Sequence, residues 1–410
     1  MLYLGEGDGT GGLLKENPED FVVMEITSKG KVLELNRKYA CSELGETEEP
    51  SGAFTTFILQ KRNWETIKAV TEIAKKTGRG RKSVSYSGTK DRKSVSVQLA
   101  SIYGVEPESV MAVRLPEISI NGAWKSNGTE LGSNLGNRFS VKVREATRPG
   151  NANRIIESLA GVFPNYFDRQ RFGYRLNNQR VGMAILRNSH EEAAMEFLTY
   201  TGNETDPESS EARSRLLDER DFSKALGYFP RHLRYERIMI EHISRYNNFA
   251  NALRRLPRGI LLMFVHSVED LIFNMALEQR VKDRNFNSPE SCGADAYGFP
   301  DLSTTVASPG RFPLGCLVGY ETDESLISEY EKSAMESIGL SRESFKIRSM
   351  PEISMKGAFR PLLSPLLGLN VSGSEDCISL EFSIAAGSYA TIFLNEITRT
   401  GGMELSSLLS

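Results

Sequence analysis

"SVSYSGTKDRKSVSVQL", Ser83 to Leu99, is the stretch on which the fold reading turns. Val95, Val97 and Leu99 alternate with polar residues, the period-two pattern of a half-buried strand, and "SVSY" (Ser83 to Tyr86) reads as a strand before it. The loop between them carries one carboxylate, Asp91, between Lys90 and Arg92. An Asp in a Gly-containing loop is by default a turn residue. Here Lys90, Arg92 and the upstream "GRGRK" (Gly78 to Lys82) surround it with positive charge, which keeps it ionised and offers docking points for an anionic substrate. The loop lacks the Gly-x-x-x-x-Gly-Lys-Ser/Thr pattern of a nucleotide phosphate loop.

Outward from this loop the chain alternates strand and helix signals. "DFVVMEI" (Asp20 to Ile26) follows the turn-forming "NPED", and "AFTTFILQKR" (Ala53 to Arg62) is a second strand. From Asn63 to Lys76, Trp64, Ile67, Ala69, Val70 and Ile73 recur at helical spacing, and Gly78 closes that helix. "NRFSVKV" (Asn137 to Val143) alternates again, and a helix over 151–159 is expected to stop at Gly161. "DCISLEFSI" (Asp376 to Ile384) is a late strand, followed by a helix capped by Ser388. The middle, 189–345, holds an acidic stretch, the "RHLRYERIMIEH" helix and an apolar helix ending near Lys282. We therefore expect one discontinuous domain, 1–188 and 346–410, interrupted by an insertion at 189–345. "LPEISINGAWK" (Leu115 to Lys125) echoes "MPEISMKGAFR" (Met350 to Arg360), which suggests either shared turn chemistry or a pseudo-symmetric pair of segments in one sheet.

Bulk properties exclude several classes. A chain of 410 residues is long enough for two or three domains, and 40% hydrophobic with 25% charged residues is the balance of a globular protein. A net charge of −3 does not announce a nucleic-acid binder, but the acids cluster in "GETEEP" (Gly45 to Pro50) and "NETDPESSEAR" (Asn203 to Arg213), leaving other regions locally basic. Cys41, Cys292, Cys316 and Cys377 are scattered without a CxxC pair, against both a disulfide framework and a zinc site. The start, "MLYLGEGDGTGG", has no signal-peptide pattern, so a cytoplasmic location is expected. Gly259 to Leu277 is apolar but carries His266, Glu269 and Asp270, and reads as a buried helix, not a membrane span. His190, His232, His242 and His266 have no ligand spacing, so no metal is assigned.

A second cluster, "PNYFDRQRFGYR" (Pro164 to Arg175), interleaves Tyr166, Phe167, Phe172 and Tyr174 with Arg169, Arg171 and Arg175. Aromatic faces stack on unpaired bases, guanidinium groups hold phosphates, and Asn165 and Gln170 can read base edges. The alternative is a core of aromatics with a solvated arginine rim. In "GLLKENPEDF" (Gly12 to Phe21), Lys15 stands where an amine could reach a carboxylate across the sheet. Arg231, Arg234, Arg237, Arg254, Arg255 and Arg258 could wall a phosphate-binding cleft or form a solvated helix face.

Taken in order, "GLLKENPEDFVVMEI", "YSGTKDRKSVSVQ", "LGSNLGNRFSVKVRE", "NYFDRQRFG", "DLIFNMALEQR" and "FSIAAGSYATIFLNEI" resemble the TruD family of tRNA pseudouridine synthases, with phrasing like that of its archaeal branch. The resemblance implies an α+β fold: a mixed, mainly antiparallel sheet with flanking helices, plus an inserted, largely helical α+β domain. It implies a tRNA substrate with uridine 13 as the target; that reaction involves no redox change, so no cofactor is expected, and the protein is expected to be a monomer. By motif, Asp91 matches the catalytic aspartate, Lys15 a lysine near it, Asn165 an amide there, and Phe167 the aromatic that packs on the target base. Two departures stand out: Asp168 where the family usually has Gly, and Asn395-Glu396 where Arg-Glu is common. Such an aspartate could attack C1' or take a proton from C2'. Two other functions compete. A non-catalytic tRNA-binding or RNA-chaperone protein would not need Asp91, and a carboxylate-dependent hydrolase would need a second acid, which the sequence does not make evident.

Overall fold

The computed structural model describes residues 1–293, 297, 311–374, 376–402 and 404–409. Its strands are β1 (Leu13–Leu14), β2 (Phe21–Ile26), β3 (Phe54–Arg62), β4 (Val84–Tyr86), β5 (Val95–Tyr103), β6 (Ile118–Ser126), β7 (Gly136–Arg144) and β8 (Val162–Pro164), then β9 (Ser291–Gly293), β10 (Arg311–Leu317), β11 (Ala358–Pro361), β12 (Leu363–Pro365), β13 (Leu367–Gly373) and β14 (Ile378–Ala385). Nine of these form one sheet in the order β13-β14-β7-β2-β5-β3-β6, with β1 paired to β7 and β4 to β5. Only β2 and β5 run parallel, so the sheet is mixed and mainly antiparallel, as the resemblance implies.

Side-chain alternation explains why strands so far apart in sequence pair. Phe139, Val141 and Val143 on β7 stand in register with Phe382, Leu380 and Ile378 on β14, and the Phe139 and Phe382 rings stack at 5.2 Å. Phe21 and Val23 of β2 join the same face, covered by the Ala390–Thr398 helix through Ile392, Phe393, Leu394 and Ile397. The helix Thr66–Lys76 covers another part of the sheet, with Ala69, Val70 and Ile73 against Phe57, Leu59, Ala100 and Ile102. Area removed from water on this scale is the main term that orders the sheet.

β5 changes neighbours along its length. Val95 to Val97 pair with β2, whereas Ala100 to Ile102 pair with β4. The loop carrying Asp91 leaves the sheet at that changeover.

A separate apolar cluster gathers residues from Val181 to Ile353, largely helical. The 26-residue helix Arg258–Asp283 is long and apolar enough to cross a membrane, yet it serves both interiors. Phe264, Val265, Val268 and Ile272 enter the helical cluster, and Phe273, Leu277 and Val281 enter the core against the sheet.

Four local expectations change. The first long helix begins at Thr66, not Asn63. The 151–159 helix turns left-handed one residue early, at Ala160 (φ 48°). Ser388 does not cap the last helix: its backbone lies before the cap residue Tyr389, and its hydroxyl accepts from Ser364 Oγ at 2.8 Å. The 115–125 and 350–360 echo is not a structural repeat. The first copy lies in β6 of the large sheet, the second in a 3-10 turn (Pro351–Ile353) and β11 of the three-stranded β11-β10-β9 sheet.

Candidate active site

Asp91 stands at a cavity of about 240 Å³, where Phe21, Phe139, Asp168, Gln170 and Tyr389 also line the wall. Its carboxylate Oδ2 is ion-paired with Lys15 Nζ, and Gln170 Nε2 donates to Oδ1 at 3.5 Å. About a third of the Asp91 side chain stays exposed, enough for a substrate to reach it. Lys15 arrives there because β1 pairs Leu14 with Val143, and the chain then turns through a left-handed residue at Lys15 itself (φ 58°). Its ammonium lies 4.1 Å from the centroid of the Phe21 ring, a cation–π contact that fixes its direction.

The loop is held from beneath by "KRNWET", which the sequence showed only as the end of one strand and the start of a helix. Lys61 Nζ donates to the carbonyl oxygen of Asp91 at 2.9 Å and of Lys90 at 3.3 Å. The Thr66 hydroxyl accepts from Lys90 N–H at 2.9 Å, and Ser94 Oγ donates to the Asp91 carbonyl at 2.7 Å. Lys61 is fully buried, and burial pulls its amine down to about 8 against the opposing attraction of Asp91. Lysines are almost never fully buried without a counter-charge, which marks this one as a placed group. A strand-end lysine looks ordinary in sequence, so the only available signal was Lys61 and Thr66 flanking one strand-to-helix turn.

Three of the residues expected at the substrate are held by partners within the protein. Lys90 lines the cavity, but its ammonium is engaged elsewhere: it lies 3.0 Å from Glu25 Oε2, with both side chains buried. Glu25 also accepts from Leu99 N–H at 3.0 Å and Ser87 Oγ at 2.5 Å, so its carboxylate replaces the strand pairing that stops between β2 and β5. Asn165 does not reach the cavity. Its amide donates to Pro361 O at 2.9 Å and accepts from Arg360 at 2.7 Å. Phe167 packs edge-on to Phe273 at 5.5 Å and 4.1 Å from the Arg360 guanidinium, outside the cavity lining, whose aromatic residues are Phe21, Phe139 and Tyr389.

Arg171 is anchored through Nε to Asp270 Oδ2 at 2.6 Å. Arg92 is exposed, with no ion pair or hydrogen bond from its side chain among the described residues. Of the remaining arginines, Arg237 holds the Leu226 and Phe229 carbonyls, Arg254 the Ser349 carbonyl and Arg258 the Glu352 carbonyl. Arg231, Arg234 and Arg255 stay exposed.

Asp168 is the acid that the sequence did not make evident. It lines the same cavity as Asp91 and is mostly buried. Burial pushes its carboxyl above the ordinary carboxylate range; Arg169 N–H and the Thr391 hydroxyl pull the other way, and the charge of Asp91 adds to the rise. Its backbone (φ −79°, ψ 162°) is ordinary extended chain, so an L residue sits here without strain where the family pattern has Gly.

The family model "tRNA pseudouridine synthase D (TruD)" matches residues 1–294 and 299–397. The chain belongs to the TruD family. Archaeal relatives named "Probable tRNA pseudouridine synthase D" match over almost their whole length. The Pyrococcus abyssi protein is 31% identical over 97% of this chain and 99% of its own, and the Methanococcoides burtonii protein 30% over 99% and 97%. A crystal structure from Methanosarcina mazei that carries the TruD name superposes with a TM-score of 0.75 at 27% identity, covering 98% of this chain and 96% of that one. The TruD fold therefore extends through the helical middle as well as the sheet.

Proposed function

We propose that this TruD-family chain is an isomerase that converts uridine to pseudouridine in tRNA, with position 13 as its target, and that it works in the cytoplasm as a monomer with no cofactor. The observation that carries this reading is the Lys15–Asp91 ion pair at the edge of an aromatic-walled cavity. Making pseudouridine breaks the N1–C1' bond, turns the uracil and joins C5 to C1', with no net redox change. A carboxylate paired with an ammonium can attack C1' or accept the C2' proton. The target nucleotide must leave its stack, at a cost of a few kcal/mol that stacking and phosphate contacts offset. Phe21, Phe139 and Tyr389 supply the aromatic surface, and Arg92, next to Asp91 in the chain, supplies an exposed cation. In this reading residues 1–188 and 346–410 form the catalytic domain, and 189–345 the insertion.

A non-catalytic RNA-binding protein would have no use for an ion-paired, solvent-reachable carboxylate. Asp168 supplies the second acid that a hydrolase would need, so the test must separate isomerisation from base release. The protein is incubated with unmodified tRNA and pseudouridine is mapped chemically. Conversion at one uridine with unchanged RNA mass supports the isomerase, whereas loss of a uracil would select the hydrolase and no change the binding protein.

A further inference from the structure

The cavity holds two acids placed differently. Asp91 is paired with an ammonium on one carboxylate oxygen and bonded to Gln170 on the other. Asp168 has no ion pair among the described residues; Arg169 N–H and the Thr391 hydroxyl are its hydrogen-bonding neighbours, while Asp91, Lys15 and Tyr389 are the titratable groups that act on it. A mostly buried acid facing the same cavity as Asp91, without an ion-pair partner among the described residues and without a backbone requirement that selects it, needs a chemical reason.

We propose that Asp168 is the general base that removes the uracil C5 proton after the ring has been rejoined to the ribose. This rests on the pseudouridine-synthase reading above and assigns its last step. Once C5 has bonded to C1', that carbon still bears its hydrogen and the ring carries an N1=C6 double bond. Asp168 takes the C5 proton, the C–H electron pair forms C5=C6, and the N1=C6 π pair moves to N1. N1 then takes a proton, from Asp168 or from water, so one proton leaves C5, one arrives at N1, and the product is an isomer of the substrate. Asp91 is committed to the ribose side and to Lys15, so a separate acceptor on the uracil side lets the two proton movements proceed without exchanging places. A base whose carboxyl is pushed up by burial is better matched to a carbon acid than an exposed aspartate is.

The test uses full-length protein and tRNA carrying deuterium at C5 of the target uridine. In Asp168→Asn, kcat should fall about 100-fold, the lower end of the usual contribution of a positioned base, with KM within a few fold. The C5 deuterium isotope effect on kcat should rise above that of the wild type, because proton removal becomes rate-limiting. Asp168→Glu should recover part of both. A purely structural role would lower kcat or stability without moving the isotope effect. An Asp168→Asn protein with wild-type kcat, or one slowed with the isotope effect unchanged, would overturn the assignment. If the wild type leaves tRNA unconverted, the failure lies with the isomerase reading itself.

Discussion

The ammonium of Lys61 sits 2.9 Å from the carbonyl oxygen of Asp91, while the carboxylate of the same residue is paired with Lys15. One cation therefore holds the backbone and another the side chain. Swinging the carboxylate away breaks the Lys15 pair, and moving the loop backbone breaks the Lys61 contact.

Lys61 should trade stability for activity. Its amine is pulled down from 10.5 to about 8, so between those values the unfolded chain binds more protons than the folded one, and this group's contribution to stability rises with pH. Below pH 8 its burial costs the folded state on the order of 3 kcal/mol. Lys61→Met should then be no less stable than wild type near pH 7 by thermal denaturation, yet have a much lower kcat. Wild-type kcat should fall as pH rises through about 8 while stability does not fall from this source, and a pH profile alongside melting curves checks both.

Asp91→Asn should abolish turnover while leaving tRNA affinity within a few fold, measured by filter binding against single-turnover conversion. Equal loss of both would make Asp91 a binding or folding residue.

Lys90 and Glu25 form a buried ion pair, so removing one partner strands a charge. Lys90→Met should lower stability by about 3–5 kcal/mol in denaturant titrations. The double variant Lys90→Met with Glu25→Gln should recover part of that loss, because no uncompensated carboxylate remains.

Arg92 is exposed and unpaired among the described residues, which suits a phosphate contact. Arg92→Ala should weaken tRNA binding irrespective of sequence and reduce the slope of log K against log salt by about one. A slope equal to that of wild type would place Arg92 outside the RNA path.

Much of the sheet was legible because alternation is a local property: Phe139 and Phe382 each announce an inward face within seven residues of chain. Lys15 was legible through its place ahead of a strand. The ion pair of Lys90 was not legible, because a cation beside a carboxylate looks like a docking point and nothing local reveals Glu25, 65 residues away. The surroundings of Asn165 and Phe167 were hidden for a related reason: Arg360, which holds both from behind, comes from β11, far along the chain. Asp168 was noticed only as a departure, since a sequence does not show which acids share a cavity. Lys61 was invisible because burial, not residue type, makes it unusual.

The helix Arg258–Asp283 also limits how this protein can be cut. Its Asn274 amide clasps both the N–H and the carbonyl of Phe167, and its Phe273, Leu277 and Val281 complete the interior behind the sheet. Excising 189–345 and splicing the ends would take that rod away with the rest. The remaining polypeptide would be left with an open flank of oily side chains, so a minimal fragment of this protein has to keep the rod.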